Sequence, residues 1–285
     1  MTDATVPGVY GMRLLGLRPD PDLLARVPSN APPLTIERTV GVSRHEESAL
    51  ARDVGRDLID GAGTMSLWLD ERRVEYALNI QLSDDELIHP WLAPAAAALA
   101  LQDGRLALHG GVLEVNGRSV ALVGDRESGK STLVAAAAMS GISVLTDDVV
   151  VVDDAHAVHA GPRCIDLREG SAAFFGARWT VLARGGTRQR MLLPQALPVV
   201  PLAAVVVLHW GEPITMTRLA APARLQALLP HLASAQTAAS FTRVLSLARV
   251  PVYALSRPRE WRLLARTLAD VLALASPQPS GEAQT

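Results

Sequence analysis

The sequence predicts an α/β fold in three parts: a β-rich region over residues 1–88, a larger domain with a mixed sheet over residues 89–275, and a disordered tail over 276–285. Three observations carry that prediction. Alternating apolar and polar runs, separated by Pro, Gly and Asn clusters, fill the first 88 residues. From Leu92 the pattern changes to an alanine-rich helix followed by short apolar strands. Between one of those strands and the next helix lies a glycine-rich turn, Gly124-Asp125-Arg126-Glu127-Ser128-Gly129-Lys130-Ser131.

Taken in order, Val9–Leu17, Leu34–Val40, Thr64–Leu69 and Val74–Ile80 alternate as strands do, and Asp70-Glu71-Arg72-Arg73 reads as the turn between the last two. No cluster of nucleophile, base and metal ligand stands out here. The region reads as a small sheet packed on the next domain, or as a platform for a protein or peptide substrate. Ser83-Asp84-Asp85-Glu86 has the pattern of a capped, acidic helix start, and Pro94–Leu108 continues as an apolar helix. Val112–Val115 and Ser119–Val123 are strands joined around Asn116-Gly117, a pair suited to a two-residue hairpin turn. A helix follows from Lys130 to Ser140, with Gly141 as its C-terminal cap. Ile142–Val152 is an apolar strand interrupted by Thr146-Asp147-Asp148, and Val199–Trp210 is a further buried strand. Pro222–Leu232 and Pro258–Leu274 read as amphipathic helices, the tail from Ser276 to Thr285 is polar, and no internal repeat is visible.

Composition narrows the partners. A hydrophobic share of 49% with 20% charged residues suits a globular domain with a sizeable core. The net charge of -2 argues against binding to nucleic acid or to an anionic membrane surface. Cys164 is the only cysteine, which excludes a disulfide framework and a cysteine zinc cluster and suits the reducing cytoplasm. No basic segment followed by an apolar run opens the chain, and the stretch Leu92–Leu108 is too short and too charged to span a bilayer. Of 27 basic residues, Lys130 is the single lysine. The arginine excess reads as codon bias, yet the one lysine stands where a compact ammonium is required and a planar guanidinium does not substitute.

The glycine-rich turn matches G-x-x-x-x-G-K-[ST] at every fixed position, the Walker A or P-loop pattern, and its strand-to-helix context agrees. The glycines let backbone N–H groups close on phosphate oxygens, and the helix N-terminus adds about half a positive charge at the same spot. Lys130 is placed for the β- and γ-phosphates, the Ser131 hydroxyl for Mg²⁺, and Thr132 follows directly. The chain has neither an N/T-K-x-D segment nor an LSGGQ-like signature, which sets aside Ras-type GTPases and transporter ATPases and leaves small kinases and related phosphotransferases. Asp147 and Asp148 come 17 and 18 residues after Lys130. In an extended segment neighbours face opposite sides, so one could hold the metal and the other deprotonate an acceptor hydroxyl. His109 precedes the hairpin, while His156 and His159 read as surface residues without a third ligand.

Three separated elements together resemble the catalytic core of the HPr kinase/phosphorylase family: Leu108-His-Gly-Gly-Val-Leu-Glu-Val-Asn-Gly, the Gly-Asp-Arg-Glu-Ser-Gly-Lys-Ser loop, and Gly141-Ile-Ser-Val-Leu-Thr-Asp-Asp148. The resemblance is clear over residues 105–170 and looser to about 275. It implies that Asp147 is the base for an acceptor serine and Asp148 a metal ligand, with the reverse assignment left open, and that His109 lines the active site. Asp166-Leu-Arg168 loosely resembles the family's acidic-x-Arg segment, which supplies a further metal or phosphate contact. The N-terminal region departs from the full-length HPr kinases. In that respect the chain resembles the shorter HPr-kinase-like proteins encoded beside ribosomal peptide pathways, including lasso peptide kinases that phosphorylate a precursor serine. Arg126-Glu127 replaces the small residues usual within the loop, placing a negative charge at the phosphate cradle.

The leading expectation is therefore an ATP- and Mg²⁺-dependent kinase acting on a Ser/Thr hydroxyl of a peptide or small protein, such as a RiPP precursor. A small-metabolite kinase and a degenerate nucleotide-binding partner are the alternatives, the second suggested by Glu127. The basic loop Gly185–Arg190 is a contact for ATP or an acidic peptide, or simply a solvated loop. Homo-oligomerisation is compatible with all of these readings.

Overall fold

The computed structural model describes residues 4–40, 54–57, 61–176, 180–181, 188–234 and 236–275. The N-terminal residues form a seven-stranded sheet from β1 (Thr5–Val9), β2 (Met12–Leu15), β3 (Ala25–Pro28), β4 (Pro33–Val40), β5 (Val54–Asp57), β6 (Gly63–Trp68) and β7 (Arg73–Leu78). Their spatial order is β3-β1-β2-β4-β7-β6-β5. The strand expected over Val9–Leu17 is split, because Tyr10 and Gly11 take positive φ and turn β1 back onto β2. β6 and β7 form the expected hairpin, with Trp68 opposite Arg73.

Ser83 caps a single helical turn, Asp84–Glu86, reciprocally: its hydroxyl accepts the Glu86 N–H, and the Glu86 carboxylate accepts the Ser83 N–H. The next helix, α1 (Ala93–Gln102), stops well before Leu108. Gly104, at φ 75°, ends it in the left-handed region, and Leu106–Leu108 instead begin a ten-residue strand, β8 (Leu106–Val115). Small apolar residues there fit either period, so the sequence pattern alone misplaces the boundary. The alanines of α1 share one apolar cluster with Met65, Leu67 and Tyr76 of the first sheet and with Ala107, Val149 and Val151 beyond it.

The rest of the chain runs through β9 (Arg118–Gly124), α2 (Lys130–Met139), β10 (Ser143–Thr146), β11 (Val149–Val152), β12 (Ala157–His159), β13 (Cys164–Arg168), α3 (Glu169–Phe175), β14 (Thr180–Val181) and β15 (Arg188–Leu192). It continues through β16 (Val199–Trp210), β17 (Thr215–Arg218), α4 (Ala221–Leu228), α5 (Ala238–Leu247), β18 (Val252–Arg257) and α6 (Leu264–Leu272). β13, β14 and β15 make a small separate sheet, and the remaining strands from β8 onward form an eight-stranded mixed one. The molecule is thus a mixed α/β structure. β18 and α5 lie where no element is predicted, and the helix expected from Pro258 becomes regular only at Leu264.

β9, β16 and β18 are parallel neighbours, with Gly124 in register with Leu208 and Trp210 with Arg257. Their C-terminal ends therefore meet at one edge of the sheet. Both faces are covered, which is why these strands read as unbroken apolar runs. Val120, Leu122 and Val206 pack toward α2 and α6, while Ala121, Val123 and Val205 pack toward α4 and α5.

β8 changes partner half-way along its length. Leu106–His109 pair with β11, and Val112–Glu114 pair with β10. Asp147 and Asp148 occupy the gap between β10 and β11, facing Gly110 and Gly111. The Gly110 N–H donates to the Asp148 carbonyl at 3.0 Å. A Cβ on Gly111 would lie 2.6 Å from Val134 Cγ2 and 3.1 Å from the Asp147 carboxylate, so a side chain there displaces one or the other.

A buried ion pair ties the small sheet to the segment before α1. Arg190 of β15 grips Asp166 of β13 with both arms, at 2.7 and 2.8 Å, and donates to the His89 carbonyl at 2.8 Å. Arg190 is therefore not part of a solvated basic loop; Gly185–Thr187 and the tail from Ser276 lie outside the described residues. Among the described residues, no helix is long and apolar enough to cross a membrane. Arg190→Met strands the Asp166 charge in the interior and is expected to cost about 3–5 kcal/mol in chemical denaturation.

Candidate active site

The loop over Gly124–Ser131 joins the end of β9 to the start of α2, and its shape depends on left-handed residues. Gly129 has φ 84°, and a Cβ there would meet an Arg257 guanidinium nitrogen and the Trp210 ring. Glu127 adopts φ 67° without being glycine. Its carbonyl accepts the Trp210 indole N–H at 3.0 Å, and its carboxylate pairs with Arg168 at 2.7 Å. Arg168 thus answers the negative charge that Glu127 brings to the loop. Asp125 and Arg126 are exposed, Ser128 is buried, and the Thr132 hydroxyl lies 3.4 Å from that of Ser171 on α3.

Lys130 is buried, with Nζ donating to the carbonyls of Gly124 at 2.8 Å and Asp125 at 2.9 Å. Burial draws its ammonium below the usual lysine range, against the opposing pull of Asp147, Asp148 and Asp125.

The two aspartates differ in environment. Asp148 has φ 84°, so the pair is a kink between strands and not the extended segment that the alternation argument assumes. Asp147 is buried beside Ser131. Burial, reinforced by the Asp148 charge, pushes its carboxyl up to about 7. Burial alone would raise Asp148 too, but the hydrogen bond and charge of His109, with His89 and Arg188, outweigh it and hold that carboxyl below the usual range. His109 Nδ1 lies 3.3 Å from the Asp148 carboxylate, and its ring is half exposed.

One cleft of about 1680 Å³ gathers His109, Lys130, Ser131, Asp147 and Asp148 on a common surface, with Arg126, Glu127, Gly129 and Thr132 from the loop. Gly124 and Asp125 contribute the carbonyls that hold Lys130. The opposite wall comes from the first sheet and the segment before α1, including Met65, Ile80, Leu82 and His89. Arg168 reaches the loop and Asp166 lines the cleft, but Asp166 is committed to Arg190. His156 bonds Ser246, and His159 is buried against Asp153 instead of standing at the surface. Sequence reading passes over Trp210, Arg257 and His89. The run Val252-Tyr-Ala-Leu-Ser-Arg257 is a strand signal, hidden by the Pro258 that follows it and by the arginine-rich background.

The donor set suits a hard cation. Ser131, Asp147 and Asp148 offer oxygen alone, as Mg²⁺ prefers, and the Ser128 hydroxyl is a buried polar atom without a partner in the same loop.

No family model matches the chain, and no curated protein matches it. A solved structure of the Hpr(Ser) kinase/phosphatase from Coxiella burnetii is similar over 59% of this chain and 93% of that one, at 11% identity and a TM-score of 0.32. That likeness is a distant structural relationship and carries no residue correspondence.

The carboxyl of Asp147 binds its proton more tightly folded than unfolded, so its contribution to stability is full below about pH 4 and is lost as pH rises through about 7. The displacement from 3.8 to about 7 corresponds to about 4 kcal/mol. Asp147→Asn is therefore expected to gain stability relative to the unmodified protein as pH rises from 4 to 8 without divalent cation. Denaturant melts across that range measure the gain, and Mg²⁺ should shrink it.

Proposed function

We propose that this protein is an ATP- and Mg²⁺-dependent kinase that phosphorylates a hydroxyl of a peptide or small protein. The observation that carries this reading is Asp147: a buried carboxyl beside Ser131, pushed up to about 7 by burial and facing the same cleft as Lys130. A base is most effective when its pKa lies near the working pH. Asp147 takes the acceptor proton as the hydroxyl oxygen forms its bond to the γ-phosphorus, and the bridging oxygen–phosphorus bond breaks to release ADP. Lys130 turns from the loop carbonyls to the β- and γ-oxygens, and the N–H groups at the start of α2 face the same charge. Asp148, kept ionised by His109, and Ser131 would hold Mg²⁺, which supplies charge neutralisation on the transferring phosphoryl group.

The size of the cleft supports a peptide acceptor. At about 1680 Å³ it exceeds the few hundred to about 1,000 Å³ of a small-molecule pocket and extends to the wall of the first sheet. Arg168 pairs with Glu127 and offsets the charge that suggests a degenerate loop. A second assignment draws on the proximity of Ser131 to Asp147. It places Asp147 on the metal and makes the half-exposed His109–Asp148 pair the base.

Transfer from labelled ATP to a serine-containing precursor peptide tests both versions. Asp147→Asn is expected to lower transfer by about 10²–10⁴-fold, and Lys130→Ala to lower it comparably. Equal transfer by Asp147→Asn and the unmodified protein would sink the leading version. Loss in Asp148→Asn that pH cannot restore, with Asp147→Asn answering to added Mg²⁺, would select the second. Phosphate appearing on hydroxylated metabolites but on no peptide would overturn the acceptor class.

A further inference from the structure

Two arginines are almost fully buried beside the cleft, and the fold treats them differently. Arg190, at 6% exposure, is matched by the two-armed contact with Asp166. Arg257, at 4% exposure, has no carboxylate within ion-pair distance among the described residues. Its terminal nitrogen donates to the carbonyls of Ser128 at 3.0 Å and Gly129 at 3.4 Å, while its buried Nε has no partner. The guanidinium lies 4.2 Å from the centroid of the Trp210 ring, whose π face offsets part of the charge. The match is incomplete, since burial brings even this guanidinium down to about 10.

An interior cation without a counter-ion is costly, and proteins keep one where a ligand completes it. The place supports that reading. Trp210 and Arg257 are register partners at the C-terminal ends of β16 and β18, beside the end of β9 from which the Gly124–Ser131 loop departs. Arg257 lines the same cleft as Lys130 and Asp147, and a second orphan, the Ser128 hydroxyl, lies in the loop it touches.

We propose that Arg257 is a binding residue for the polyphosphate of the nucleotide, a second fixed cation opposite Lys130, held in place by Trp210 and the loop carbonyls. The inference rests on the nucleotide reading given above only for the identity of the anion. A purely structural Arg257 would behave differently: its loss would weaken the free protein and leave anion binding intact.

The test uses the full chain, with inorganic tripolyphosphate, ATP and adenosine as probes, followed by calorimetric titration and thermal melting. Arg257→Met is expected to weaken tripolyphosphate and ATP at least tenfold, without lowering the melting temperature of the free protein. Arg257→Lys, which keeps the charge but not the planar fork, should recover part of the loss. If Arg257→Met does not fold, Arg257→Gln, which retains a donor for the Ser128 carbonyl, takes its place. Tripolyphosphate bound within twofold of the unmodified protein would overturn the inference. So would lost ATP binding with tripolyphosphate retained, which would put Arg257 on the nucleoside, or an unmodified protein that binds neither anion. Arg257-dependent binding without phosphate transfer to any acceptor would uphold Arg257 and defeat the kinase reading. Lys130-dependent transfer untouched in Arg257→Met would do the reverse.

Discussion

The exchange of partners along β8 is the constraint on which the site depends. A strand that pairs with β11 through His109 and with β10 from Val112 must leave a gap, and the chain crosses that gap at Asp147 and Asp148. Gly110 and Gly111 fill the opposite side because nothing larger fits between Leu122, Val134 and the Asp147 carboxylate. Two acidic side chains are thereby set into an otherwise apolar sheet, one fully buried and one facing His109. Their different proton affinities follow from that arrangement and not from the residues themselves, which are chemically identical.

Charge around the cleft is balanced unevenly. Glu127 is met by Arg168, Asp166 by Arg190 and Asp148 by His109. Lys130 rests on two carbonyls, and Arg257 on two carbonyls and an indole face. Among the described residues Lys130 and Arg257 have no carboxylate within ion-pair distance, and Asp147 has no cation at that distance. Two buried cations beside the loop thus face the same cleft as a buried carboxyl in the kink.

Much of this was legible in the sequence, and the reasons differ by element. The strand, loop and helix around Gly124–Ser131 carry fixed residue types, and Asn116-Gly117 forms its turn with positive φ at both residues. The mixed α/β character followed from the change of period near Leu92. The end of helix α1 is hidden because alanine and leucine fit either conformation, and a single left-handed glycine decides between them. The kink at Asp148 was invisible because the residue has a side chain and still takes φ 84°. Arg257 and Trp210 could not be paired from spacing, since 47 residues separate two positions that parallel register makes adjacent.

Lys130, held by the carbonyls of Gly124 and Asp125, is also the only side-chain amine among 285 residues. An amine-selective acylating reagent therefore has one side-chain target in the whole molecule, and that target sits in the loop. Its labelling rate becomes a built-in reporter of whether the ammonium is tucked inward, engaged elsewhere or free, read by mass spectrometry without introducing a probe.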